Sequence, residues 1–206
     1  MSFADIESTL KRAAAALRRE DIPFLLGGSL ASWARGGPQT RHDLDLMIKP
    51  EDADRAVAAL TEDGMRFEDP PEEWLVKAYA GDTLVDLNFA PKGMEMTDEV
   101  IARGEVLSVL GMEMRVMALE DVLVTKLMAL SEHALRYESL LAIARALRER
   151  IDWQDVRTRT SSSPFARAFF VMLEGLGVLP EAKPTTGGAP RVRVLSPRGS
   201  AAAPVG

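Results

Sequence analysis

Between Pro23 and Pro50 the chain reads PFLLGGSLASWARGGPQTRHDLDLMIKP, and this stretch restricts the possible folds more than any other. PFLLGG has the form of a short buried strand running into a glycine turn. LASWAR then reads as a short helix that ends near Gly36, Gly37 and Pro38, with Ser29 expected to cap its start. DLDLMI alternates polar and apolar residues as a half-buried strand does, and Pro50 closes it. One helical hairpin therefore brings the glycine turn to the strand that carries two aspartates.

Alternate side chains of a strand share a face, so Asp43 and Asp45 are expected to point one way and Leu44 and Leu46 into the core. Two carboxylates held so close repel unless a cation neutralises them, which makes the pair a donor set for a hard divalent ion. Magnesium fits, because it takes one or two carboxylates together with substrate phosphates. Asp86 in LVDLNF is the expected third acid, framed by Val85 and Leu87 as Asp45 is by Leu44 and Leu46. Cross-strand neighbours lie about 5 Å apart, near enough to share metal ions.

Gly27 and Gly28 let the backbone turn tightly and approach a ligand, the start of the next helix presents unpaired N–H groups, and Ser29 adds a hydroxyl. A phosphate anchor beside a carboxylate pair describes a nucleoside triphosphate site for metal-assisted phosphoryl transfer. Arg41, just before the pair, is a candidate phosphate contact.

Elsewhere, Ile6, Leu10, Ala13, Ala14 and Leu17 recur at helical spacing over residues 3–19, and EDADRAVAALTEDG reads as a second helix with acids in its first turn. WLVKAYA, TLVDLNFA and EVLSVLGMEMRVM are strand candidates, the last bent into a hairpin at Gly111. From Leu119 the pattern turns helical through LEDVLVTKLMAL, YESLLAIARALRER and SPFARAFFVMLEGLG. Trp33 is expected beneath the glycine turn, His133 on a helix surface, and Asp152 at a helix start before Trp153. Residues 181–206, with four prolines and four glycines, are expected to be a disordered tail. Four basic residues against one acid give that tail +3, so the −6 of the whole chain leaves −9 for the body.

The expected fold class is α/β (α+β), a mixed β-sheet flanked by helices with a C-terminal helical annex. The expected divisions are a catalytic core over 1–118, a helical region over 119–180 and the tail over 181–206. A negative body argues against a surface given over to nucleic acid. The sequence has no cysteine and two histidines, neither spaced near a serine–acid set, so thiolate metal sites and a hydrolase triad have no support. No apolar run approaches the roughly 20 residues of a membrane span, and the N-terminus has no signal-type apolar core, so no membrane association and a cytoplasmic location are expected.

Gly27-Gly28-Ser29, then Asp43-Leu44-Asp45, then Asp86 in an apolar strand resembles the active-site signature of the DNA polymerase beta-like nucleotidyltransferase superfamily. The resemblance implies that Asp43 and Asp45 hold two Mg2+ ions, that Asp86 completes one site and helps activate the acceptor hydroxyl, and that the Gly-Ser turn holds the triphosphate. LEDVLVTKLMAL resembles the helix after the core in minimal and AbiE-type toxin nucleotidyltransferases, which implies a nucleotide contact for Lys126. Those toxins place an arginine and a Lys/Arg-Asp pair after the lysine, whereas this chain has His133, Arg136, Tyr137 and Glu138. The implied activity is transfer of a nucleoside monophosphate from an NTP such as ATP to an acceptor hydroxyl on a small molecule, protein or tRNA. The alternative is a non-catalytic nucleotide binder or a toxin–antitoxin protein partner with the same fold. DxD pairs also occur in haloacid dehalogenase-like phosphatases and in glycosyltransferases; the Gly-Gly-Ser is foreign to the first, and the second need a larger domain.

Overall fold

The computed structural model describes residues 3–39, 44–68 and 74–181. The helix expected at the start is α1 (Phe3–Arg19), with Ile6, Leu10, Ala13, Ala14 and Leu17 all buried. It leads to β1 (Phe24–Leu26), α2 (Gly28–Trp33) and β2 (Leu44–Ile48). A 3-10 turn at Pro50–Asp52 opens α3 (Ala53–Glu62), where proline suits a first turn because an N–H there would have no partner within the helix. Then come β3 (Arg66–Glu68), β4 (Leu75–Ala80), β5 (Thr83–Asn88), α4 (Asp98–Arg103), β6 (Glu105–Val109) and β7 (Met112–Val116). Helices α5 (Leu119–Met128), α6 (Tyr137–Leu147), α7 (Trp153–Arg159) and α8 (Pro164–Gly175) complete the described chain. Strand β3 has no counterpart in the sequence reading, because three residues with two charges are too short to show a period.

Among the described residues the strands form one mixed sheet in the order β3-β4-β5-β2-β1-β7-β6. The hairpin around α2 pairs β1 with β2 antiparallel, Leu25 opposite Met47. β5 enters beside β2 in parallel, with Leu44 opposite Val85, Asp45 opposite Asp86 and Leu46 opposite Leu87. Registered residues share a face, so Leu44, Leu46, Val85, Leu87 and Ala78 of β4 form one fully buried row set. The opposite face carries Asp45, Asp86 and Lys77. Burial in β2 is broader than simple alternation, because Met47, on the Asp45 face, is covered as well.

The buried side chains form two clusters, one around the sheet with α1 to α4 and one among α5 to α8. Helix α5 belongs to both, giving Val122 to the first and Leu123, Val124 and Leu127 to the second. Asp152 caps α7 as expected, its carboxylate accepting from the Gln154 and Asp155 N–H groups. Trp33, half-buried at the end of α2, packs edge-on against Phe3 at 5.3 Å between ring centroids. His133 lies in the turn between α5 and α6, exposed beside Glu132, and not on a helix, because the helical spacing is interrupted after Leu130. Apart from Glu181, the tail lies outside the described residues. No helix among the described residues is long and apolar enough to cross a membrane.

Candidate active site

The glycine turn adopts the conformation that only its residue types permit. Gly28 has φ +58°, and a Cβ built on it would lie 1.7 Å from Asp45 Oδ2. The backbone of α2 therefore abuts the carboxylate, which occupies the place a side chain at 28 would need. The Gly27 amide donates to the Asp45 carbonyl at 2.8 Å, so this N–H fixes the turn to β2 and is unavailable to a ligand. Replacing Gly28 by alanine is expected to cost about 1–3 kcal/mol from the left-handed backbone alone, and more from displacement of Asp45. Urea unfolding checks the first effect and nucleotide binding the second. A variant with wild-type stability and binding would show that the turn relaxes freely.

Ser29 is not the cap. Gly27 occupies the N-cap position without a side-chain hydrogen bond, and Ser29 stands inside α2, where Lys126 Nζ donates to its Oγ at 3.2 Å. The first amides of α2 thus have no side-chain cap, as an outside acceptor requires. With six residues the helix supplies only a small dipole, so the Lys126 ammonium is the main positive charge at this end. Buttresses hold α2 in place. Buried Arg35 donates to the Val116 carbonyl at 3.1 Å and pairs with Glu105 at 3.5 Å, while Arg150 donates to the Arg35 carbonyl at 2.6 Å. Burial pushes the Arg35 guanidinium below its usual value, with Glu105 opposing the shift.

Asp45 and Asp86 are directly opposite on adjacent parallel strands. Asn88, two residues beyond Asp86 and on the same face, donates to Asp45 Oδ1 at 3.4 Å. Lys77 stands opposite Asp86 on β4, placing a cation beside the acid pair. Sequence reasoning missed Asn88 and Lys77, although the period of two in VDLN and LVKAYA puts both on the acid face. Tyr79, further along that face, has its phenol held above the usual value, first by desolvation and then by Glu68.

A cleft of about 190 Å3 opens between this strand pair and α5, lined by Gly28, Asp45, Asn88 and Lys126 among others. Of the residues expected to act together, the structure joins Gly28, Ser29, Asp45, Asp86 and Lys126 in one region. Asp43 and Arg41 lie outside the described residues. Among the described residues no group of three acid, histidine or cysteine side chains gathers as a metal cluster. The donors nevertheless fit a hard cation. Asp45 and Asp86 offer carboxylate oxygens in register, and the lack of a Cβ at Gly28 lets the Asp45 carboxylate lie against the start of α2, where a triphosphate would meet it.

A family model described as uncharacterised nucleotidyltransferase matches residues 5–176. No curated protein matches the sequence. Among solved structures, the solution structure of the antibiotic-resistance factor ANT(2'')-Ia superposes with a TM-score of 0.58 at 19% identity, covering 85% of this chain and 98% of that one. The crystal structure of ANT(2'')-Ia in complex with adenylyl-2''-tobramycin gives 0.59 at 18% identity, covering 81% and 99%. At such identity the likeness is one of fold alone. The family match spans most of the chain, which therefore belongs to that nucleotidyltransferase family.

Proposed function

We propose that this member of the nucleotidyltransferase family moves a nucleoside monophosphate from an NTP to an acceptor hydroxyl, with magnesium bound and pyrophosphate released. The observation that carries the reading is Asp45, in register with Asp86 on the neighbouring strand, at a cleft that it lines with Gly28 and Lys126. Asp45 and Asp86, with Asp43 as a third ligand, would hold Mg2+. When bound, the metal supplies positive charge against the phosphates and lowers the cost of building negative charge on them. The first amides of α2, the Ser29 hydroxyl and the Lys126 ammonium bind and orient the triphosphate. Asn88 holds the Asp45 carboxylate in one orientation. Asp86 takes the acceptor proton as the acceptor oxygen bonds to the α-phosphorus and the bond to the β-bridging oxygen breaks. Pyrophosphate then leaves with that oxygen.

The first acceptor class to test is a small hydroxylated molecule, since ANT(2'')-Ia, which shares the fold, has been crystallised with adenylyl-2''-tobramycin. Protein hydroxyls and tRNA ends are the further classes. Incubation with each labelled NTP, Mg2+ and aminoglycosides, bulk protein or tRNA, with pyrophosphate measured, tests the reaction. Absence of pyrophosphate and of transferred label in every combination would overturn it.

Metal and nucleotide binding are expected to be coupled, each supplying what the other lacks. A ligand specific to the native state stabilises it by about 2.7 kcal/mol at a hundredfold excess over its dissociation constant. Mg2+ and NTP together should raise the melting temperature by more than the sum of their separate shifts, and Asp45→Asn should abolish the excess. Additive shifts in the wild type would count against a shared site.

A further inference from the structure

One wall of the cleft has no part in holding phosphates or metal. It is formed by Trp74, Pro91 and Lys92. Among the described residues Trp33 and Trp153 pack on the two buried clusters, whereas Trp74 belongs to neither. Trp74 is half-buried, and the Lys92 ammonium lies over its ring, 5.0 Å from the centroid. The cation–π contact with exposed Lys92 is a weak one, which a stacking ligand in the cleft can displace. The backbone under the ring is fixed. The Trp74 carbonyl accepts from the Phe89 and Ala90 amides at 3.1 and 3.2 Å, which ties it to the segment leaving β5, the strand of Asp86 and Asn88. Met47 and Ala129 give the cleft apolar lining.

We propose that Trp74 is the platform on which the nucleobase of the triphosphate stacks, with Lys92 beside it. This rests on the nucleotidyltransferase reading of the same cleft. At about 190 Å3 the cleft is smaller than the roughly 300–1,000 Å3 that enclose a whole drug-sized ligand, so its walls divide the nucleotide between them, phosphates and metal at Asp45, Gly28 and Lys126 and another part at Trp74. The part that matches an aromatic face with apolar neighbours is the planar base, which stacks on a ring whatever its sequence identity. The triphosphate then runs toward Lys126 and Ser29, whose mutual hydrogen bond marks the cationic end.

The test compares affinities for ATP, GTP, CTP, UTP and inorganic tripolyphosphate, all with Mg2+, by calorimetry in the wild type, Trp74→Ala and Trp74→Phe. Loss of one base–aromatic stack should weaken nucleoside triphosphates about tenfold in Trp74→Ala. Tripolyphosphate, which has no base, should bind within about twofold of wild type, and Trp74→Phe should keep most of the nucleotide affinity. Nucleotide should also quench the tryptophan fluorescence of the wild type and of Trp153→Phe but not of Trp74→Phe. Equal weakening of nucleotide and tripolyphosphate, or unchanged nucleotide affinity in Trp74→Ala, overturns the platform alone. A wild type that binds none of the four nucleotides overturns the nucleotidyltransferase reading and the platform with it.

Discussion

Replacing Asp45 or Asp86 by asparagine is expected to lower nucleotide transfer by more than about a hundredfold, because loss of even an outer partner of a metal ligand costs about 10–100-fold. The two acids are opposite each other on neighbouring strands, and asparagine keeps their shape while removing the charge that a cation requires. Folding should change little, since the relief of repulsion between the two acids is set against the lost attraction of Lys77, opposite Asp86. Asn88→Ala should fall within the smaller 10–100-fold range, because Asn88 acts through Asp45, to which it donates at 3.4 Å. Pyrophosphate release from NTP and Mg2+ measures the first effect and urea unfolding the second. Full activity in both aspartate variants would remove the mechanism.

The largest stability effect is expected at Asp121, in the first turn of α5. Its carboxylate is 2% exposed and accepts from Arg159 at 2.6 Å and from Arg103 at 3.0–3.2 Å. The three residues join α4, α5 and α7, so the pairing fixes the helical region to the sheet. Burial, the largest influence on Arg159, lowers its pKa, yet the hydrogen bonds and charges of Asp121 and Asp155 outweigh it and raise the guanidinium above its usual value. The partners are unequal in burial, however, since Arg103 is 49% and Arg159 27% exposed. Removing both arginines as Arg103→Gln with Arg159→Gln strands a buried charge and should cost about 3–5 kcal/mol. Asp121→Asn should cost less, because the freed guanidinium groups reach water. With Asn at 121, the two arginine changes should add little further. An Asp121→Asn variant less stable than the double arginine variant would refute this account of where the charge is trapped.

Periodicity was sufficient for most of the secondary structure. α1, α3, β5 and the β6–β7 hairpin lie where spacing and glycines put them, because each segment must bury its own apolar stripe whatever its neighbours do. Local chemistry was less reliable where a long-range partner competes. Ser29 has the residue type of a cap but lies inside α2, where it meets a lysine 97 positions away.

The carboxylate pair shows the division most clearly. The sequence alone determined that Asp45 and Asp86 each sit on the polar face of an apolar strand, since a strand's period of two depends only on its own residues. That β5 lies beside β2, parallel and in the register that sets Asp45 against Asp86, was decided by the tertiary structure. Strand order and register follow from how whole faces pack, in which Leu44, Leu46, Val85 and Leu87 must be buried together. The same packing brought in Asn88, Lys77 and Lys126, whose local patterns are those of ordinary strand and helix surfaces and whose chemistry depends on what lies across the cleft.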